Sequence, residues 1–210
     1  MNNYTKQLND TKAKDLHQLK EVGDQWRTPD DIFWGIFANF GPFVLDLFTD
    51  GDNAKCERFY TCEQNALIQD WAQDLQGGKA YANPPYSRSS YEDGQAITGM
   101  RNIINKAIAE REQGAKLVFL IKAATSETWW PEEADHVCFI KGRVGFDLPK
   151  WFKGKDASSS GFASAIVIFD KNWKGSQQGY ISRDQLKQDG NTLMKLMQPK
   201  GYRPTWDNVA

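Results

Sequence analysis

The sequence predicts an α/β protein with a mostly parallel central sheet and a late antiparallel edge strand. Three observations predict it. Short apolar runs of strand length recur along the 210 residues, at 43–48, 79–82, 116–121, 136–140 and 161–170. Segments with apolar residues at helical spacing separate the earlier runs, which is the pattern of parallel strands joined by crossover helices. The last runs follow one another without such a helix, so at least one of them must return antiparallel. A chain of this length can bury one substantial core, and we read one domain.

The elements follow in order. Residues 1–23 are polar and weakly helical, and read as an N-terminal arm. Thr28-Pro29-Asp30-Asp31 is a helix start, with Thr28 as the cap, Pro29 in the first helical position and acids in the first turn. Ile32, Phe33, Ile36 and Phe37 form the buried stripe of that helix. A central strand over 42–48 then breaks into the polar turn 49–53. Arg58 to Thr61 reads as a short second strand ending near Glu63, and Asp70-Trp71 as a short turn beside it. Lys79 to Ala82 is a buried strand, and a polar link over 87–91 leads into a helix spanning Ala96 to Ile108 that Gly114 closes. A parallel strand over 116–121 opens on Lys122, followed by a short helix around 127–134. The strands at 136–140 and 161–170 flank a basic, aromatic and glycine-rich stretch at 141–155. A last helix runs from Ser182, with Gln185 completing a capping box, to about Met197. The central body is thus 24–172, and 173–210 a C-terminal helix and tail.

The most informative stretch is Asn83-Pro84-Pro85-Tyr86, at the end of the 79–82 strand. Asn83 and Pro84 each precede a proline, so both are pushed towards extended geometry while two φ angles are locked. The loop is stiff, and it lies at a strand's carboxyl end, where open α/β sheets hold ligands. It offers an amide oxygen, a carbonyl and an aromatic face to a flat, amine-bearing molecule. Two acceptors aimed at the two N–H bonds of a ring amine would localise its lone pair as a new bond forms. The plain alternative is a rigid loop that closes a strand.

Composition excludes several classes. The formal charge of −1 rules out nucleic-acid binding through bulk positive charge, so any such contact is local. No apolar run approaches the length of a membrane span, and the polar start has no signal-peptide core, so a cytoplasmic protein without membrane contact is expected. Cys56, Cys62 and Cys138 form no Cys-x-x-Cys pair, and with His136 they match no usual zinc spacing, so no metal is expected. The acids that end the early strands suit a nucleoside, but the dinucleotide glycine fingerprint is missing, which argues against NAD.

Taken in series, Trp26-Arg27-Thr28-Pro29, Leu45-Asp46-Leu47, Asn53 to Cys56, Phe59-Tyr60-Thr61, Asn65-Ala66-Leu67, Asp70-Trp71, Asn83-Pro84-Pro85-Tyr86-Ser87 and Lys141-Gly142-Arg143 resemble the phage-type DNA N-6-adenine methyltransferase family over roughly residues 24–170. The resemblance implies a Rossmann-like methyltransferase that moves a methyl group from S-adenosylmethionine to the N6 amine of adenine in double-stranded DNA, in a bacterial host cytoplasm and from a phage or prophage gene. It implies catalytic roles for Asn83, Pro84, Pro85 and Tyr86, with Tyr86 stacking on a flipped adenine. Trp26, Thr28 and Pro29 are implied at the methionine end of the cofactor, Asp46, Leu47 and Thr49 in the first-strand loop, Glu63 at the ribose, and Asp70 and Trp71 at the adenine moiety. The first-strand loop departs from the glycine-rich turn of larger adenine methyltransferases. Candidate DNA contacts are Arg88, Lys122, Arg143, Lys150, Lys153 and Lys155, the last four in a candidate insert at 141–160. Two alternatives stay open at this point: an amino-methyltransferase acting on protein glutamine or RNA, and a DNA-binding module without turnover. Recognition sequence and oligomeric state are not legible.

Overall fold

The computed structural model describes residues 23–152 and 162–197 together with Asn2, Thr5, Lys6, Asn9 and Asp10. Lys153 and Lys155 therefore lie outside the described residues. The helices are α1 (Asp30–Phe40), α2 (Trp71–Leu75), α3 (Met100–Glu112) and α4 (Arg183–Met197), with a 3-10 turn at Ala66–Ile68. The strands are β1 (Leu45–Asp46), β2 (Arg58–Phe59), β3 (Lys79–Ala82), β4 (Tyr91–Glu92), β5 (Gln95–Ala96), β6 (Lys116–Lys122), β7 (His136–Lys141), β8 (Ser164–Phe169) and β9 (Gln178–Ser182). Seven of them form one sheet in the order β2-β1-β3-β6-β8-β7-β9, and β4 and β5 form a separate hairpin.

The sheet is mostly parallel, as expected, and β8 alone runs against its neighbours. Its position differs from the expected edge: β8 lies inside the sheet, between β6 and β7. All six of its residues are buried. A strand apolar on both faces needs a neighbour on each side to satisfy its backbone, and the true edge is the more exposed β9. Because β9 joins the sheet beyond residue 172, and α4 packs against α1, the chain shows no structural break at that point.

Alternation along β6 divides the core into two layers. Leu117, Phe119 and Ile121 face a cluster with Trp71, Ile103 and Ala107 of α2 and α3. Val118 and Leu120 face Ile32, Phe33 and Ile36 of α1 and Leu186 of α4. On that second face the two helices touch through glycines. A Cβ on Gly35 would stand 2.0 Å from the Leu186 carbonyl oxygen, and one on Gly190 would stand 1.9 Å from that of Asp31.

Several local expectations are corrected. Thr28 does not cap α1; its hydroxyl bonds the Tyr81 hydroxyl at 2.8 Å in the interior, and the helix starts at Asp30 with no side-chain cap. Ala96 belongs to β5, so α3 begins at Met100. The segment expected as a short helix at 127–134 is a series of turns. The capping box of α4 is half made: Ser182 Oγ accepts from Gln185 N–H at 3.0 Å, while the Gln185 side chain turns to Asp189.

Candidate active site

The parallel strands β1, β2 and β3 end at a common rim, and the loops beyond them enclose a cavity of about 330 Å³. That is at the lower end of small-molecule sites, roughly 300–1,000 Å³. Its walls include Asp46 at the end of β1, Leu47 and Thr49 after it, Glu63 and Asn65 after β2, and Asn83 and Pro85 after β3. The segment before α1 contributes Asp24, Gln25, Trp26 and Thr28. The loop expected to do chemistry and the loop expected to hold the cofactor thus face one space.

Asn83 is half-buried, and its Nδ2 donates to the Trp26 carbonyl at 3.3 Å. Tying down the amino half of the amide leaves Oδ1 as its acceptor. The loop is held from outside by Asp24, whose carboxylate accepts the backbone N–H of Tyr86 at 2.8 Å and of Ser87 at 3.0 Å. Charge-assisted bonds of this kind fix backbone position more firmly than neutral ones. Sequence reasoning missed Asp24. Its signal is position, two residues before Trp26 in the run already singled out.

Tyr86 reaches away from the cavity wall. Its hydroxyl accepts the Lys122 backbone N–H at 2.6 Å, and burial raises its pKa, which keeps the phenol neutral. Its ring meets Trp129 edge-on at 6.1 Å and Phe162 at 6.4 Å. The Lys122 ammonium lies over it, 4.1 Å from the ring centre. Lys122 is therefore half-buried beside the loop and not at an open rim.

Asp46 is the most deeply buried carboxylate of the cavity lining. It is 2% exposed, and accepts backbone N–H bonds from Lys55 at 2.9 Å and Phe48 at 3.3 Å. Burial outweighs those bonds and pushes its pKa up to about 7. The cavity lining also includes Gln25, 8% exposed, whose Oε1 accepts from Trp151 while its Nε2 is buried without a partner. A costly carboxylate and an orphaned donor in one lining suit a ligand bearing both positive charge and acceptor atoms.

The other expected contacts divide. Pro29 and Pro84 are buried and do not line the cavity. Asp70 and Trp71 do not line it either. Asp70 caps α2 by accepting Gln73 N–H at 2.9 Å, and Trp71 is fully buried, donating to the Ala66 carbonyl at 2.7 Å. Arg88, Arg143 and Lys150 are exposed. The 141–152 segment is no open hairpin: Val144 and Phe146 are buried, and Asp147 pairs with Arg27 through two backbone bonds. That pairing brings the segment against the Trp26 wall of the site. The β4–β5 hairpin directly after Tyr86 was not anticipated; Tyr91 on it is 60% exposed.

A family profile for DNA N-6-adenine-methyltransferases (Dam) matches residues 15–193. The chain belongs to that family. The family's methyl donor is S-adenosylmethionine, a cation, and the residues of the cavity fit it: Asp46 for positive charge, the Gln25 amide for an acceptor. Among relatives, YfdM of Escherichia coli (strain K12), provisionally named a methyltransferase, is 62% identical over 87 residues, 40% of this chain and 96% of its own. The DNA N-6-adenine-methyltransferase of Escherichia phage T1 is 26% identical over 176 residues, 81% of this chain and 68% of its own. A solved structure of a provisionally named class I S-adenosylmethionine-dependent methyltransferase from Listeria monocytogenes covers 92% of this chain, with 75% of its own matched, at 14% identity. Its TM-score of 0.37 is too low to bear on the fold. Among the described residues, no helix is long and apolar enough to cross a membrane.

A pH dependence follows from Asp46. With a pKa near 7 it is largely protonated at pH 6, and a bound cation favours its ionised form. Affinity for S-adenosylmethionine should therefore rise from pH 6 to pH 8 and level off above, and Asp46→Asn should flatten the profile. Calorimetry across that range checks it; a flat wild-type profile would remove Asp46 from the cation site. The free protein should show the opposite trend. A carboxyl whose folded pKa lies above its unfolded value stabilises the fold below about pH 4, and that contribution is lost as pH rises through 7.

Proposed function

We propose that this chain methylates the N6 amine of adenine in double-stranded DNA. The observation that carries the reading is Asn83: its amide is oriented by the Trp26 carbonyl, its loop is clamped by Asp24, and it shares a cavity with Asp46. S-adenosylmethionine supplies the methyl group, electrophilic because it sits on a sulfonium. Asp46 offsets positive charge in the cavity, and Gln25 donates to an acceptor there. Asn83 Oδ1 accepts one hydrogen of the adenine amine and the Pro84 carbonyl accepts the other. This localises the nitrogen lone pair, which is otherwise spread into the ring. As the nitrogen gains the methyl it gives up one proton, which passes to water, so no titrating base is needed. Holding the amine in line contributes much of the rate.

Adenine inside a duplex cannot reach this loop, so the base must be extruded, with Tyr86 as the stacking surface. Arg88, Arg143 and Lys150 are exposed cations and the proposed phosphate contacts, and a guanidinium such as that of Arg143 can bond a base edge bidentately. Incubation with radiolabelled S-adenosylmethionine and separate pools of unmethylated DNA, RNA and protein, followed by nucleoside analysis, tests the reading. Label in N6-methyladenine from DNA is the expected result. Label confined to RNA or protein, or bound cofactor without transfer, would overturn it.

A further inference from the structure

The ring that must receive the extruded base is already covered. Lys122, the last residue of β6, extends its ammonium to 4.1 Å from the Tyr86 ring centre and 4.7 Å from that of Phe162. The two rings stand 6.4 Å apart at 50°. The ammonium thus fills the notch between them, close to the spacing at which a stacked base would lie over Tyr86. The remaining ring neighbour, Trp129, is itself packed against Trp130 at 6.5 Å, and Trp130 stacks on Phe139. Rigid rings wedged in this way cannot clear a face. A lysine has four rotatable bonds and a strongly hydrated head, so it can.

We propose that Lys122 holds the base-stacking notch of Tyr86 and Phe162 in the DNA-free protein, and that the target adenine enters by displacing its ammonium. The proposal rests on the adenine reading above. Two observations support it beyond the distances. The Lys122 backbone N–H is fixed to the Tyr86 hydroxyl at 2.6 Å, so ring and lysine keep their relation while the side chain swings. Burial also lowers the Lys122 pKa, with Asp24 and Glu127 opposing, so the ammonium is a partly dehydrated group with something to regain on release. Filling the notch keeps an aromatic face from exposure and gives the ring a cation–π partner until a base replaces it.

The consequence is a competition between lysine and base, readable with a neutral probe that has no phosphate. Adenosine is titrated by calorimetry into protein saturated with S-adenosylhomocysteine, which blocks the cofactor's own nucleoside site. Lys122→Ala should bind adenosine about five- to tenfold more tightly than wild type, the size of a partly desolvated cation–π contact. Lys122→Gln, neutral and of similar reach, should gain less, and it carries the measurement if the alanine variant melts abnormally. Adding Tyr86→Ala to either variant should abolish the gain. Adenosine affinity unchanged or weaker in a folded variant overturns the proposal. So does a variant that loses only salt-dependent affinity for duplex DNA, since Lys122 would then be a phosphate contact. Wild-type methyl transfer to unmethylated DNA, measured in parallel, separates this failure from failure of the adenine reading.

Discussion

Asn83→Ala should lower turnover by about 100-fold or more while leaving S-adenosylmethionine affinity close to wild type. The side chain has two halves with different tasks. Nδ2 is spent on the Trp26 carbonyl at 3.3 Å, which orients the amide. Oδ1 is left to accept from the reacting amine, an interaction that strengthens as the nitrogen pyramidalises and therefore acts on the transition state. In the proposed reading the cofactor's charge is met elsewhere, at Asp46, so the substitution should separate rate from binding. Single-turnover rates and calorimetric affinities on the same preparation decide it, and a near-normal rate in Asn83→Ala removes the central claim. Tyr86→Ala should also weaken base capture. Tyr86→Phe keeps the stacking face but orphans the Lys122 N–H bonded at 2.6 Å, so its cost should appear as lost stability more than as lost turnover.

Gly190→Ala should destabilise the fold by about 3 kcal/mol, and Gly35→Ala by a similar amount, each lowering the melting temperature by roughly 6–12 °C for a chain of this size. Alanine ordinarily favours a helix over glycine by about 1 kcal/mol, so local propensity predicts the opposite sign. Packing reverses it. The added methyl would stand 1.9 Å from the Asp31 carbonyl oxygen in one case and 2.0 Å from that of Leu186 in the other. Neither obstacle is a side chain that can rotate away, so α1 and α4 must separate and expose Leu186, which is fully buried between them. Both clashes lie at one crossing, so the double variant should cost less than the sum, because helices already parted by the first methyl admit the second. Unchanged melting in both single variants would mean that the helices do not approach this closely.

The parts of this protein legible from sequence are those with short-range causes. Alternating or continuous apolar runs give β3, β6, β7 and β8, since each must bury its side chains whatever lies beside it. The stiff loop after β3 is legible because consecutive prolines restrict it independently of context. Series of short motifs identified the family, and the profile match over 15–193 agrees. Asp70 and Trp71 mark the limit of that approach. The resemblance implies cofactor contacts for both, yet one is occupied as a helix cap and the other in the core, outside the cavity wall. A motif says that a residue matters and not whether it serves the ligand or the fold beneath it.

Fold class, most strand positions and the stiff loop at the carboxyl end of β3 follow from local sequence, because propensity, periodicity and proline geometry act within a few residues. Tertiary packing settled the rest. It took Thr28 from its expected helix cap and gave its hydroxyl to Tyr81, 53 residues away. It placed β8 inside the sheet, set Asp24 against the Tyr86 and Ser87 amides, and laid Lys122 over the Tyr86 ring. Each of these depends on which distant groups arrive in the same place, and the competition for hydrogen bonds and buried surface is settled only when the strands and helices have packed.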